Sequence, residues 1–87
     1  MNGANIQPYV LYSILGCPYS AEVKNRLKWL RLAFEERDIR DPLLKAELVT
    51  LSGRSEAPYL YDPNHHVGTS RAERILAYLE RHAPTAS

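Results

Sequence analysis

A strand-like run that passes almost directly into a helix-like one is the tightest constraint in this chain. Tyr9-Val10-Leu11-Tyr12-Ser13-Ile14-Leu15 is nearly continuously apolar and rich in Val, Ile and Tyr. That pattern suits a central strand covered on both faces rather than a half-exposed one. Gly16 breaks the run. Cys17 then falls at the N-cap of the next segment and Pro18 at its first helical position, where the missing N–H costs nothing. Val23, Leu27 and Leu30 recur at helical spacing and predict a helix over residues 18–32 with that stripe buried. Glu22 and Arg26 form an i,i+4 pair on the wet side. Trp29 falls off the stripe and is predicted to pack under a neighbouring loop. Residues 34–40 are short and polar-rich, as in a half-exposed edge strand. So tight a strand–helix–strand succession implies parallel strands joined by a right-handed crossover.

The remaining elements follow from local signals. Asp41-Pro42 opens a second helix with a capping carboxylate and a first-position proline. Leu43, Leu44, Leu48 and Leu51 are its predicted apolar face, and Ser52-Gly53 its end. A polar loop, Arg54-Ser55-Glu56, leads to Ala57-Pro58-Tyr59-Leu60-Tyr61, a strand that begins with proline, as strands tolerate. Asp62-Pro63-Asn64-His65 reads as a turn, and His66-Val67-Gly68 as a fourth strand antiparallel to the third. Ser70-Arg71-Ala72-Glu73 has the form of a capping box. It precedes a helix with Ile75, Leu76 and Leu79 inward that ends near His82, before Pro84. The expected fold is therefore α/β, in the order β-α-β-α-β-β-α, with a four-stranded mixed sheet and three helices on its two faces. One domain over residues 1–87 is expected, with residues 1–7 frayed.

Composition removes several function classes. Eleven basic and ten acidic residues leave a formal net charge of +1, which points to neither nucleic acid nor an anionic membrane surface. No stretch approaches the roughly 20 apolar residues of a membrane span. Met1-Asn2-Gly3-Ala4-Asn5 lacks the basic and apolar regions of a secretory leader. With a single cysteine in 87 residues, an internal disulfide is impossible and a stapled secreted scaffold is excluded. A reducing, cytoplasmic setting and a monomer are the expectations. His65, His66 and His82 have no spacing that suits zinc, so no protein-only metal site is expected.

The position of Cys17 between strand and helix, flanked by Pro18 and Tyr19, makes it a candidate nucleophile. A thiol at a helix N-terminus meets unpaired N–H groups and the positive end of the helix dipole, and both favour the thiolate. The bland reading is a small buried Cys packed as an apolar side chain. Ser20, one turn on, can donate to that thiolate or simply satisfy backbone. Arg54 is a candidate for pairing a carboxylate. Thr69 and Ser70 precede the last helix, where a carboxylate ligand is favoured.

Cys17-Pro18-Tyr19-Ser20 resembles the glutaredoxin active site Cys-Pro-Tyr-Cys with Ser in the second place. The segment Leu51-Ser52-Gly53-Arg54-Ser55-Glu56-Ala57-Pro58 is similar to the one that leads to the family's Thr-Val-Pro. His66-Val67-Gly68-Thr69-Ser70 stands where the family has its Gly-Gly turn. The resemblance covers essentially the whole chain and implies a thioredoxin fold. The ending Ile75-Leu76-Ala77-Tyr78-Leu79 is more similar to the N-terminal domain of glutathione S-transferases, which shares this plan. The helical second domain of a whole transferase has no room in 87 residues.

The resemblance implies glutathione as co-substrate, glutathionylated proteins or small disulfides as partners, and thiol–disulfide exchange at Cys17. Ser20 cannot form a disulfide, so the implied route is monothiol. It also implies a cis peptide before Pro58 facing Cys17, with the main chain of Ala57 holding glutathione. Tyr19, Arg54, Thr69 and Ser70 would flank the same ligand. Two departures stand out. Ser13-Ile14-Leu15-Gly16 has no Lys or Arg before the Cys, so thiolate stabilisation rests on the helix terminus. Arg71-Ala72 replaces the acidic residues that usually meet the glutathione amino group. Relatives that carry an iron–sulfur cluster have Gly where Pro18 stiffens the loop here, and no cluster is expected. A glutathione- or protein-binding module without catalysis is the alternative to an oxidoreductase.

Overall fold

A computed structural model describes residues 7–82. The elements are β1 (Tyr9–Ser13), α1 (Pro18–Trp29), β2 (Phe34–Asp38), α2 (Pro42–Ser52), β3 (Tyr59–Asp62), β4 (Val67–Ser70) and α3 (Ala72–His82). The sheet order is β2-β1-β3-β4, with β1 parallel to β2 and antiparallel to β3, and β3 antiparallel to β4. This is the expected mixed four-stranded sheet with three helices, a thioredoxin-like fold.

The continuous apolarity of β1 reflects two cores that share one strand. Tyr9 and Leu11 join Leu60 beneath Val23 and Leu27 of α1 and Ala72, Ile75 and Leu79 of α3. On the other face Tyr12 meets Ile39 and Leu48, flanked by Val10, Ile14, Ala57 and Tyr59. Alternate residues of a strand point to opposite faces, so a strand buried twice cannot alternate in polarity.

Several expectations are corrected. α1 stops at Trp29 instead of continuing to residue 32, because Arg31 turns left-handed at φ 59°. Leu32 N–H then bonds back to Leu27 O at 3.0 Å. Trp29 is 75% exposed, covered by no loop, with the Arg26 guanidinium 5.6 Å from its ring centroid. Arg26 also faces Glu80 across to α3 at 3.7 Å. Only Leu48 of the predicted α2 face is buried; Leu44 is half-buried and Leu43 is 80% exposed. At about 100° per residue, Leu43 sits roughly 140° round the helix from Leu48, off the line that meets the sheet. β4 runs from Val67 through Ser70, because His66 completes the turn at φ 56°.

The Ser70–Glu73 capping box does not form. Ser70 remains in the ladder opposite Tyr59, so the helix starts one residue later and Arg71, at φ 71°, precedes it. Of the segment expected to fray, residues 1–6 lie outside the described residues. Gln7 is tied down: its N–H and C=O each bond the Asn64 side chain at 2.9 Å. Pro84 also lies outside the described residues.

One buried carboxylate ties β3 to α3. Asp62 is fully buried and accepts from the Tyr78 hydroxyl at 2.5 Å, His65 Nδ1 at 2.7 Å and the Asn64 N–H at 2.9 Å. Burial pushes its pKa up, but the hydrogen bonds from Tyr78, His65 and Asn64 outweigh burial and hold it below the ordinary carboxylate range. A depressed folded-state value contributes stability that is present above about pH 4 and is lost as pH falls through that lower value. Asp62→Asn is expected to cost about 1–3 kcal/mol at neutral pH and to flatten the acid limb of stability, read by urea melts from pH 7 to pH 2. An unchanged acid limb would refute this.

Gly68 has a different constraint. A Cβ placed there would lie 1.7 Å from the Tyr59 hydroxyl oxygen, so the ring rests against the glycine backbone. Gly68→Ala should displace Tyr59 and destabilise by about 1–3 kcal/mol. Thermal unfolding of the variant checks the cost; a midpoint equal to wild type would contradict it.

Candidate functional site

Strand direction gathers the candidate residues at one rim of the sheet. β1 ends towards Cys17, β3 begins after Pro58, and β4 ends at Ser70. Tyr12 and Ser70 both pair with Tyr59.

Gly16 takes φ 89°, the left-handed turn that redirects the chain from strand to helix. Cys17 follows in extended conformation (φ −82°, ψ 121°) as the N-cap of α1. Its N–H bonds Ile14 O at 3.0 Å and its carbonyl accepts from Ala21 N–H at 3.0 Å. The thiol is half-buried. Its pKa is held below that of a free thiol, foremost by the Ser20 N–H, against the opposing effect of burial, with the Ser20 hydroxyl and Tyr19 N–H adding to it.

Ser20 fills the backbone role weighed for it. It is buried, and its oxygen accepts from Ile14 N–H at 3.2 Å. The hydroxyl bears on Cys17 only by helping to lower its pKa. A recess of about 210 Å³ opens at Cys17, lined also by Leu15, Pro18, Lys24 and Glu36. Lys24 is the cation nearest in kind to the one absent before the Cys, but Glu36 engages it at 3.3 Å. Thiolate stabilisation therefore comes from the first turn of α1.

The Ala57–Pro58 peptide is cis. Pro58 is buried and Ala57 half-buried at the start of β3. Beyond them a second recess, about 320 Å³, is lined by Ser52, Arg54, Glu56, Tyr59, Ser70, Arg71 and Arg74. Arg54 and Ser70 thus meet in one recess and Cys17 and Ser20 in another, with the cis-proline between them along the rim.

Two candidates do not join them. Thr69 pairs with Leu60, whose side chain belongs to the α1/α3 core, so it faces away from Ser70 and Tyr59. Tyr19 is 63% exposed and lines neither recess; its N–H, not its ring, bears on Cys17. Sequence reasoning did not single out Arg71 and Arg74 as site residues. Their i,i+3 spacing at a helix start was the available signal. Among the described residues, no group of three or more His, Cys, Asp or Glu is placed to hold a metal ion. No described helix is long and apolar enough to cross a membrane.

An N-cap cysteine after the central strand, across from a cis-proline, defines a thioredoxin-fold domain of the glutaredoxin and glutathione transferase kind. The chain belongs to the family of glutathione S-transferase N-terminal domains, whose family model matches residues 11–87. No curated protein matches it by sequence. Among solved structures it is similar to a glutathione S-transferase of Ceriporiopsis subvermispora in complex with glutathione. That match has a TM-score of 0.75 and 20% identity, covering 93% of this chain and 41% of that one. A glutathione transferase homologue of Drosophila mojavensis, with bound glutathione, gives a TM-score of 0.71 and 22% identity, over 85% of this chain and 34% of that one. Reduced glutaredoxin C1 of Populus tremula x tremuloides gives 0.69 and 18%, over 85% and 65%. The chain spans between a third and about two fifths of the length of these two transferases.

The geometry at Cys17 makes a direct prediction. The pH profile of its alkylation by iodoacetamide should have a midpoint below the value of about 8.5 for a free thiol. Ser20→Ala should move that midpoint upward, and it should cost about 1 kcal/mol of stability by leaving Ile14 N–H without its acceptor. A Ser20→Ala profile that overlays wild type would show that the hydroxyl plays no part.

Proposed function

We propose that the chain is a glutathione-dependent monothiol oxidoreductase that acts through Cys17. The observation that carries this reading is the place of half-buried Cys17 as N-cap of α1, where the first turn lowers the thiol pKa. The likeness to transferases solved with glutathione supports the choice of thiol.

In the first step the Cys17 thiolate attacks the glutathione sulfur of a mixed disulfide. The Cys17–glutathione S–S bond forms, the substrate S–S bond breaks, and the substrate leaves as a thiolate that takes a proton from water. A second glutathione thiolate then attacks the glutathione sulfur on Cys17. Oxidised glutathione leaves and the Cys17 thiolate returns. The net change reduces one substrate sulfur and oxidises the second glutathione. Ser20 has no thiol for an internal second step; its hydroxyl stabilises the thiolate that attacks and leaves. Ala57 would hold the ligand main chain beside the cis-proline, and Arg54 and Ser70 its far carboxylate. Tyr19 and Thr69 have no part in this arrangement.

The family match supports a second reading, a glutathione-binding module that needs further helical structure for any catalysis. Incubation with oxidised glutathione, read by intact mass, should give a single glutathionyl adduct that Cys17→Ser abolishes. Wild type should also deglutathionylate a mixed disulfide with turnover. An adduct without turnover favours the module; no adduct overturns the oxidoreductase.

A further inference from the structure

The second recess carries more positive charge than its candidate role needs. Three guanidinium groups, Arg54, Arg71 and Arg74, line it against one carboxylate, Glu56. Glu56 sits 3.8 Å from Arg54. Among the described residues, Arg71 and Arg74 enter no ion pair, and Glu73, in the same first turn of α3, does not line the recess. The recess thus holds a surplus of two positive charges, on the backbone rim where α3 begins and where the free N–H groups and dipole add the same sign.

The γ-glutamyl end of glutathione is a poor match to that field. It carries one carboxylate and one ammonium, so its net charge is zero, and the ammonium would be repelled by whichever arginine it met. An end that carries net negative charge and no amine would gain from both arginines, with bidentate geometry open to carboxylate or phosphate. Reach also agrees. Cys17 follows β1 and the recess opens at the ends of β3 and β4, two strand spacings or roughly 10 Å away. That is about the reach of the roughly eight bonds between the glutathione sulfur and the carboxylate of its γ-glutamyl end.

We infer that this recess selects thiol compounds whose far end is a net anion without a free amine, in preference to glutathione itself. The inference rests on the proposed thiol exchange at Cys17 and replaces glutathione by this class as its preferred thiol. Arg71 and Arg74 are then the specificity-determining residues of the site.

Thioethers test this without any sulfur chemistry at Cys17. Binding of S-methylglutathione, N-acetyl-S-methylglutathione and S-methyl phosphopantetheine to the full chain is measured by calorimetry at low salt. The variants are Arg71→Gln/Arg74→Gln, Arg74→Gln alone, and Arg81→Gln, on the same helix, as a charge control. The N-acetyl compound should bind on the order of tenfold tighter than S-methylglutathione. The preference should vanish in the double variant, shrink in Arg74→Gln and persist in Arg81→Gln. Arginine-dependent binding of the phosphopantetheine compound as well would extend the class to phosphates. Equal or tighter binding of S-methylglutathione overturns the inference, as does a preference that survives in the double variant or an absence of binding by all three. A glutathionyl adduct on Cys17 without anion preference would leave the oxidoreductase standing and remove only this step.

Discussion

The structure depends on a single strand buried twice. β1 supplies Tyr9 and Leu11 to the core under α1 and α3, and Val10 and Tyr12, with Ile14 just beyond it, to the core under α2. Both hydrophobic layers hang from it, so its residues have the least freedom in the molecule. The chain leaves β1 into a turn stitched by Cys17 N–H to Ile14 O and Ile14 N–H to Ser20 Oγ. Ile14 therefore joins the strand, the turn and the first helical turn. Cys17 is thereby held in a turn tied to both β1 and α1.

That arrangement was legible where one residue type had one physical use. The strand–Gly–Cys–Pro junction, the Asp41 cap with its 2.9 Å bond to Leu43 N–H, and the Gly53 helix end at φ 82° each follow from local chemistry. Position alone made Cys17 an N-cap. The cis bond before Pro58 came through family resemblance, since nothing in Ala-Pro itself favours cis.

What remained illegible involved competition between elements. Ser70 is a good helix cap and an adequate strand residue, and only the ladder opposite Tyr59 decided between them. Leu43 and Trp29 look like core residues by composition, yet their angular positions leave them in solvent. Thr69 and Ser70 are neighbours in sequence and similar in chemistry, but the strand's alternation sends them to opposite faces. Arg71 and Arg74 are ordinary surface arginines until β4's extra residue and the late start of α3 bring both beside Arg54.

The rim then carries two electrostatic devices of different character. At Cys17 the N–H groups of Ser20 and Tyr19 and the Ser20 hydroxyl lower the thiol pKa, with Lys24 neutralised by Glu36. Such short-range, half-buried donors are little affected by added salt. In the second recess the positive charge belongs to flexible, exposed side chains, whose field falls off over a Debye length of about 10 Å at 0.1 M salt. Under the proposed function, salt would then weaken discrimination between thiols while leaving the nucleophile's ionisation nearly unchanged. On that reading, reactivity rests on the junction of β1 and α1, and ligand choice on Arg71 just before α3 and Arg74 in its first turn. Under the proposed function, a transferase-type frame would then change its thiol at the start of α3 without disturbing the junction of β1 and α1 at Cys17.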